Sequence, residues 1–90
     1  MNIELTLIGK PGCHLCEDAK DAVERVLADF RARHVEVSIS LADKNILDDT
    51  ELAARYSEEI PVLLINGKVH NYWRIDEARF MGALNSLVEN

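Results

Sequence analysis

Residues 3–16 read IELTLIGKPGCHLC, and this stretch decides the fold of the chain. Ile3, Leu5 and Leu7 alternate with polar residues, which predicts a short strand with at least one buried face. The Lys-Pro-Gly segment at 10–12 predicts a turn, and two cysteines follow it closely. The cysteines are therefore expected at a strand-to-helix turn, where functional sites commonly lie in open α/β sheets.

The rest of the sequence predicts three helices and three further strands. Apolar residues spaced by three and four indicate the helices, while alternating apolar residues and a hairpin signal at Asn66-Gly67 indicate the strands. The second helix has an alternative, later start, because Asp48, Asp49 and Thr50 could cap a shorter helix. The predicted elements are a helix over about 13–30, a strand over 34–40, a helix over 43–56, strands over 61–66 and 68–72, and a helix over 76–88.

The order of these elements predicts an α/β architecture. The first part is a βαβ unit, which requires a parallel pair of strands joined by a right-handed crossover. The second part is a hairpin followed by a helix. One mixed four-stranded sheet with helices on both faces satisfies both constraints. In the last helix, the residues expected to face the sheet are Ala78, Met81, Leu84, Leu87 and Val88.

Length and composition limit the kinds of protein that this chain can be. Its 90 residues predict one domain over 1–90, and a hydrophobic fraction of 48% is enough for a small core. A net charge of −6 argues against a nucleic-acid or membrane partner, because both attract basic surfaces. The sequence shows neither a signal peptide nor an apolar run of membrane-spanning length. We therefore expect a cytoplasmic protein, in which a close cysteine pair is catalytic or metal-binding rather than structural.

The Cys-His-Leu-Cys sequence at 13–16 predicts a site for thiol–disulfide exchange. Exchange requires a thiolate, and the unpaired N–H groups and dipole at a helix N-terminus stabilise that anion. Cys13 is thus the expected nucleophile, and Lys10 and a protonated His14 would add positive charge. Two intervening residues place Cys16 about one helical turn away, close enough to bond to Cys13 and resolve a mixed disulfide.

The residues alone leave three alternatives to disulfide exchange open for the cysteine pair. The two cysteines could be incidental on a helix. They could bind zinc, although zinc normally takes four ligands and the histidines at His14, His34 and His70 are not at ligand spacing from a second pair. Two chains could also share a metal ion or an iron–sulfur cluster. The alternative to an enzyme is therefore a non-catalytic interaction module or an iron–sulfur or metal carrier.

Pro61 is the second feature that points to a functional site. A proline that opens a central strand is unusual, because it cannot donate a hydrogen bond to the ladder. A cis Ile60–Pro61 bond would explain it by turning the backbone of Ile60 toward the cysteines, where it could pair with a bound peptide or thiol compound. A trans proline at the first residue of the strand is the alternative, and the nearby Cys-X-X-Cys signature favours cis.

Three features together resemble the glutaredoxin-like proteins of the thioredoxin superfamily: residues 9–16, residues 60–62, and the hairpin and helix that end the chain. The resemblance covers essentially the whole chain. It is closest to a small bacterial group with a Cys-His-Leu-Cys site and a tryptophan before the last helix. It implies a thioredoxin-like fold, a cis Pro61, Cys13 as nucleophile and Cys16 as resolving thiol. It also implies a dithiol oxidoreductase that reduces protein disulfides or mixed disulfides.

The resemblance extends to residues around the cysteines. Lys10 matches the glutaredoxin lysine that lies near the thiolate and the glutathione carboxylate. Glutaredoxins that bind glutathione usually carry two glycines and then an acidic residue after the hairpin. Here the corresponding stretch, 71–76, has no glycine, contains Trp73 and ends at Asp76. Asp76 could meet the glutathione amine or cap the last helix, and Trp73 could contact a substrate or pin that helix by packing.

The expected partners follow from this implied chemistry. They are disulfide-bearing proteins as substrates and either glutathione or a thioredoxin-type reductase as the electron donor. Ile60, which is apolar as in thioredoxins, leaves the choice of donor open. We expect no metal and no tightly bound cofactor, with glutathione as a possible co-substrate, and a chain that acts as a monomer.

Overall fold

The strands form one mixed sheet with the first strand in its interior. In the computed structural model, which describes residues 1–89, the strands are β1 (Asn2–Gly9), β2 (Ser38–Asn45), β3 (Val62–Ile65) and β4 (Lys68–Tyr72). Their order across the sheet is β2-β1-β3-β4, with β1 parallel to β2 and antiparallel to β3. β4 pairs antiparallel with β3. The prediction of a mixed four-stranded α/β sheet is confirmed.

Helices cover both faces of this sheet. The described residues form α1 (His14–Arg33), a 3₁₀ helix (Ile46–Asp48), α2 (Thr50–Tyr56) and α3 (Glu77–Val88). Arg25 of α1 forms an ion pair with Glu77 of α3, with 3.0 Å between Nη2 and Oε2, which links the two helices on one face. No helix within residues 1–89 combines the length and apolar character needed to cross a membrane. The residues that α1 buries are Ala19, Ala22, Val23, Val26, Leu27 and Phe30.

The second strand begins later than the sequence predicts. The prediction of a strand over 34–40 is wrong in its boundaries, since β2 starts only at Ser38. The His34 N–H donates to the Phe30 carbonyl (2.9 Å) and the Val37 N–H donates to the His34 carbonyl (3.1 Å), so this segment is the turn that ends α1. Val35 is 84% exposed. The alternation of valines therefore arises in a turn and does not mark a strand.

The second helix also begins later, so the prediction of a helix over 43–56 is wrong at its start. Residues 43–45, the first three of the predicted helix, instead form the end of β2 and pair with β1, with Asn45 opposite Gly9. The alternative start at 48–50 is confirmed, because the Asp49 carboxylate caps α2 by accepting hydrogen bonds from two N–H groups, at 2.9 and 3.2 Å. Pairing with β1 thus overrides the helical pattern of this segment.

The main core lies between the sheet and helices α1 and α3. Phe80 and Leu84 are the fully buried residues of α3. Leu84 was expected there, but Phe80 is missing from the predicted inner face, and the expectation for Ala78 is wrong because that residue is exposed. Met81, Leu87 and Val88 are partly buried against the same core. A second, smaller cluster lies at the end of β1 under α2; its members are Ile8, Ile46, Tyr56, Ile60 and Val62.

Candidate active site

Cys13 forms the N-cap of α1, so its side chain lies at the opening of the helix. Its backbone is extended (φ −99°, ψ 111°), and its Sγ accepts a hydrogen bond from the Cys16 N–H at 3.2 Å. Gly12, just before it, has a left-handed φ of 75°, which glycine adopts without a steric penalty. The sulfur therefore satisfies one of the free N–H groups of the helix, as N-cap side chains do.

Cys16 lies one helical turn after Cys13, as the spacing predicts. The two residues are joined as a disulfide, and their Cα atoms are 5.2 Å apart, within the usual range for such a bond. Both cysteines are half-buried, and Cys16 packs against the smaller apolar cluster. The pair can therefore be reached from solvent while its second member is held by the core.

Gly9 allows the end of β1 to approach Cys16 closely. A Cβ atom on Gly9 would lie 2.9 Å from Cys16 Sγ and 3.1 Å from Cys16 Cβ, closer than side-chain atoms normally come. From the sequence, Gly9 is expected only to end the first strand. Its contact with Cys16 follows from the packing of α1 on the sheet, for which the local sequence carries no signal.

We expect Gly9→Ala to make the Cys13–Cys16 disulfide easier to reduce. The added methyl group meets a sulfur that the disulfide holds in place, whereas a reduced Cys16 thiol can rotate away. A tenfold lower equilibrium constant for disulfide formation corresponds to a reduction potential about 30 mV more positive. Equilibration with dithiothreitol or glutathione buffers measures the potential. Gly82→Ala is the matched control, because nothing lies near its added methyl group, and an unchanged potential in Gly9→Ala would contradict the prediction.

Pro61 lies across β1 from the cysteines. The Ile60–Pro61 bond is cis, which confirms the expectation. Ile8 pairs with Val62, so one further step of the antiparallel register places Pro61 opposite Gly9, the residue that touches Cys16. The structure thus brings the proline and the Cys-X-X-Cys segment, which are distant in sequence, to one end of the sheet.

Trp73 contacts the segment around Pro61 through both its backbone and its side chain. Its N–H donates to the Pro61 carbonyl (2.7 Å), and its indole Nε1–H donates to the Glu58 carbonyl (3.4 Å). The indole is 53% exposed, and its ring centre lies 6.0 Å from that of Tyr72. Trp73 has a left-handed φ of 62°, which costs a non-glycine residue about 1–2 kcal/mol. Its ring thus lies near the segment before Pro61.

Asp76, Lys10 and His14 are the remaining predicted site residues. Asp76 is the N-cap of α3 and accepts a hydrogen bond from the Arg79 N–H at 3.0 Å, so its expected capping role is confirmed. Lys10 is exposed and lines a groove beside Cys16. The His14 side chain is 98% exposed, with Nδ1 3.8 Å from the Glu17 carboxylate. Lys10 is thus next to the cysteines, while His14 faces solvent.

The two histidines outside the Cys-X-X-Cys segment each have their ring near that of a phenylalanine. His34 is at the opposite end of α1, about 30 Å from Cys13 for a helix of this length, and its ring packs on Phe30. The His70 ring lies near Phe80, and burial lowers the pKa of its imidazole. Within residues 1–89, no group of three histidine, cysteine, aspartate or glutamate side chains is placed to hold a metal ion.

The sheet order, the Cys-X-X-Cys pair at the start of the first helix and the cis proline opposite it define a thioredoxin-fold domain. The particular family follows from the sequence profile of the Glutaredoxin-like domain (DUF836), which matches residues 4–85. The chain belongs to this family.

Several proteins are similar to this chain. Protein XcR50 from X. campestris is 27% identical and superposes with a TM-score of 0.70, over 91% of this chain and 96% of its own. Thioredoxin-2 of a malaria parasite, at 12% identity and a TM-score of 0.64 over 94% of this chain and 82% of its own, shares the fold. The uncharacterised protein Rv0508 of Mycobacterium tuberculosis is 24% identical over 78 residues, which are 84% of this chain and 76% of that protein.

Proposed function

We propose that this protein is a dithiol thiol–disulfide oxidoreductase with Cys13 as the nucleophile and Cys16 as the resolving thiol. The observation that carries the proposal is the position of Cys13 Sγ at the N-cap of α1, where the Cys16 N–H points at it from 3.2 Å. The free N–H groups and the dipole of a helix stabilise a sulfur anion at this place. Because the thiolate is the form that attacks disulfides, this stabilisation supports Cys13 as the attacking group.

The reaction consists of two exchange steps. In the first, the Cys13 thiolate attacks one sulfur of the partner's disulfide, forms a mixed disulfide and releases the partner's other sulfur as a thiolate. In the second, Cys16 loses its proton to solvent and attacks Cys13 Sγ, which forms the Cys13–Cys16 disulfide and releases the partner's remaining thiolate. The partner gains two electrons and this protein loses two. The disulfide of the structure is the oxidised end of this cycle.

Residues near the cysteines support the reaction in this proposal. Lys10, on the turn before Cys13, adds positive charge on the side of the thiolate, and His14 adds more when it is protonated. The backbone of Ile60, just before the cis proline, offers a short edge with which an extended substrate can pair. The half-exposed indole of Trp73, beside Pro61, is a flat apolar contact for a polypeptide substrate.

The proposed substrates are proteins that carry disulfides or mixed disulfides, and we place the reaction in the reducing cytoplasm. The electron donor is glutathione or a thioredoxin-type reductase. Glutathione would use Lys10 for its carboxylate and Asp76 for its amine. Turnover measured with each donor separately, at equal protein concentration, distinguishes the two. The proposal includes no metal and no tightly bound cofactor.

The rate of alkylation of Cys13 against pH tests the proposal. Cys16→Ser leaves Cys13 as the remaining thiol and keeps the backbone N–H that points at it. We expect the iodoacetamide reaction of this variant to reach half its maximal rate at least about one pH unit below free cysteine. Cys13→Ser, which leaves Cys16, is the matched control and should lack this shift. If Cys13 reacted like free cysteine, the proposed nucleophile would be wrong.

A further inference from the structure

A groove of about 380 Å³ opens beside Cys16, between the end of β1, the first turns of α1 and the end of β2. The sheet order places β2 and β3 on opposite sides of β1, so this groove and Pro61 flank the cysteine pair from opposite sides. Leu7 and Pro11 contribute apolar surface, as do the aliphatic stems of the lysines at the rim. The groove is therefore a second surface next to the reacting sulfurs, separate from the Pro61 side.

The rim of this groove carries a local concentration of positive charge. The chain has four lysines, and three of them line the groove: Lys10, Lys20 and Lys44. Two carboxylates, Glu17 and Asp43, lie there as well. The rim is thus basic in a chain whose net charge is −6.

The contacts within the rim decide which of these charges are available. Lys20 Nζ is 3.0 Å from Asp43 Oδ2, and the pair neutralises itself. Glu17 lies 3.8 Å from the exposed His14 ring. Among the residues that the structure describes, neither Lys10 nor Lys44 forms a salt bridge. His14 carries a charge only when it is protonated, so the Glu17 carboxylate also stays on the rim. The two unpaired lysines outnumber it, and the rim beside the apolar floor keeps a net positive charge for a partner.

We propose that this groove binds an acidic segment of the disulfide-bearing polypeptide while that polypeptide is joined to Cys13. An apolar side chain of the segment enters the groove, and carboxylates beside it meet Lys10 and Lys44. The inference rests on the proposed function and specifies its substrates as disulfides with acidic neighbours. Complementary charge at the rim of an interface mainly increases the association rate and the selectivity among partners.

The test uses two peptide disulfides that differ only in their flanking residues, glutamate in one and lysine in the other. Second-order rate constants for oxidation of the reduced protein are measured at low ionic strength. We expect the acidic peptide to react about tenfold faster, and Lys44→Glu to remove roughly that advantage by slowing the acidic peptide. Added salt should reduce the preference, because these charges are exposed.

Lys68→Glu is the matched control, since it makes the same change in charge on an exposed lysine of β4, at the other edge of the sheet. We expect its rates to stay within about twofold of the parent. Equal rates for the two peptides, or equal effects of Lys44→Glu and Lys68→Glu, would overturn the inference.

Two further substrates separate the remaining outcomes. If Lys44→Glu slowed glutathione disulfide as much as the acidic peptide, the groove would bind small carboxylates, and the polypeptide assignment would be wrong. An uncharged disulfide, such as hydroxyethyl disulfide, tests the chemistry by itself. If the protein reduced hydroxyethyl disulfide but showed no preference for the acidic peptide, the proposed role of the groove would be rejected and the proposed function would stand. If it reduced no disulfide at all, both proposals would be rejected.

Discussion

Cys13→Ser is expected to lower kcat/KM for disulfide reduction by about a thousandfold or more, because a serine hydroxyl is not ionised near neutral pH and does not attack disulfides. Serine is a favourable N-cap residue, so the variant should keep α1 and the stability of the fold. The loss would then report on chemistry and not on unfolding. Reduction of insulin or of a glutathione mixed disulfide measures the rate, and thermal unfolding checks the fold.

Cys16→Ser is the informative partner of this variant. It retains the attacking thiolate and loses the resolving thiol, so it should accumulate mixed disulfides between Cys13 and its substrates. Mass spectrometry under non-reducing conditions would detect them, and Cys13→Ser should form none at residue 16. Reduction by Cys13→Ser at the parent rate would show that the assignment of the nucleophile is wrong.

Phe80→Ala is expected to produce a large loss of stability. The Phe80 side chain is fully buried between α3 and the sheet, and removing a buried phenylalanine ring typically costs about 3–5 kcal/mol in transfer and cavity terms. Small domains have a total free energy of unfolding of about 5–15 kcal/mol, so this loss would consume much of it. The midpoint of urea unfolding, followed by circular dichroism, measures the change.

Val35→Ala provides the control for this measurement. Val35 is 84% exposed in the turn after α1, so we expect a change within about 0.5 kcal/mol. Phe80→Leu, which keeps most of the apolar volume, should lie between the two. A loss in Phe80→Ala no larger than that of Val35→Ala would mean that the ring is not part of the core.

Several parts of the site could be predicted from local sequence. The cysteine pair at a strand-to-helix turn, the hairpin at Asn66-Gly67 and the capping of helices by Asp49 and Asp76 were all expected and are observed. Each of these features depends on hydrogen bonds or dihedral angles within a few residues. A helix cap, for example, requires an acceptor side chain two or three residues before the N–H group that it binds.

A second set of features required contacts between distant parts of the chain. The predicted start of β2 is wrong because the strand character of this segment comes from pairing with β1. The predicted inner face of α3 is incomplete because Phe80 also packs into the core beneath the sheet. Trp73 adopts a left-handed backbone that its residue type disfavours, and it donates a hydrogen bond to the Pro61 carbonyl. In these cases packing and long-range hydrogen bonds outweigh local preference.

The sequence by itself therefore determined the local setting of Cys13, since a cysteine at the first turn of a helix finds N–H groups within its own segment. Tertiary structure decided what surrounds that sulfur. It placed Gly9 against Cys16, Pro61 across the strand from them, and the lysine-lined groove on the other side. The physical reason is that these neighbours meet through strand register and helix packing, which bring together residues that are far apart along the chain.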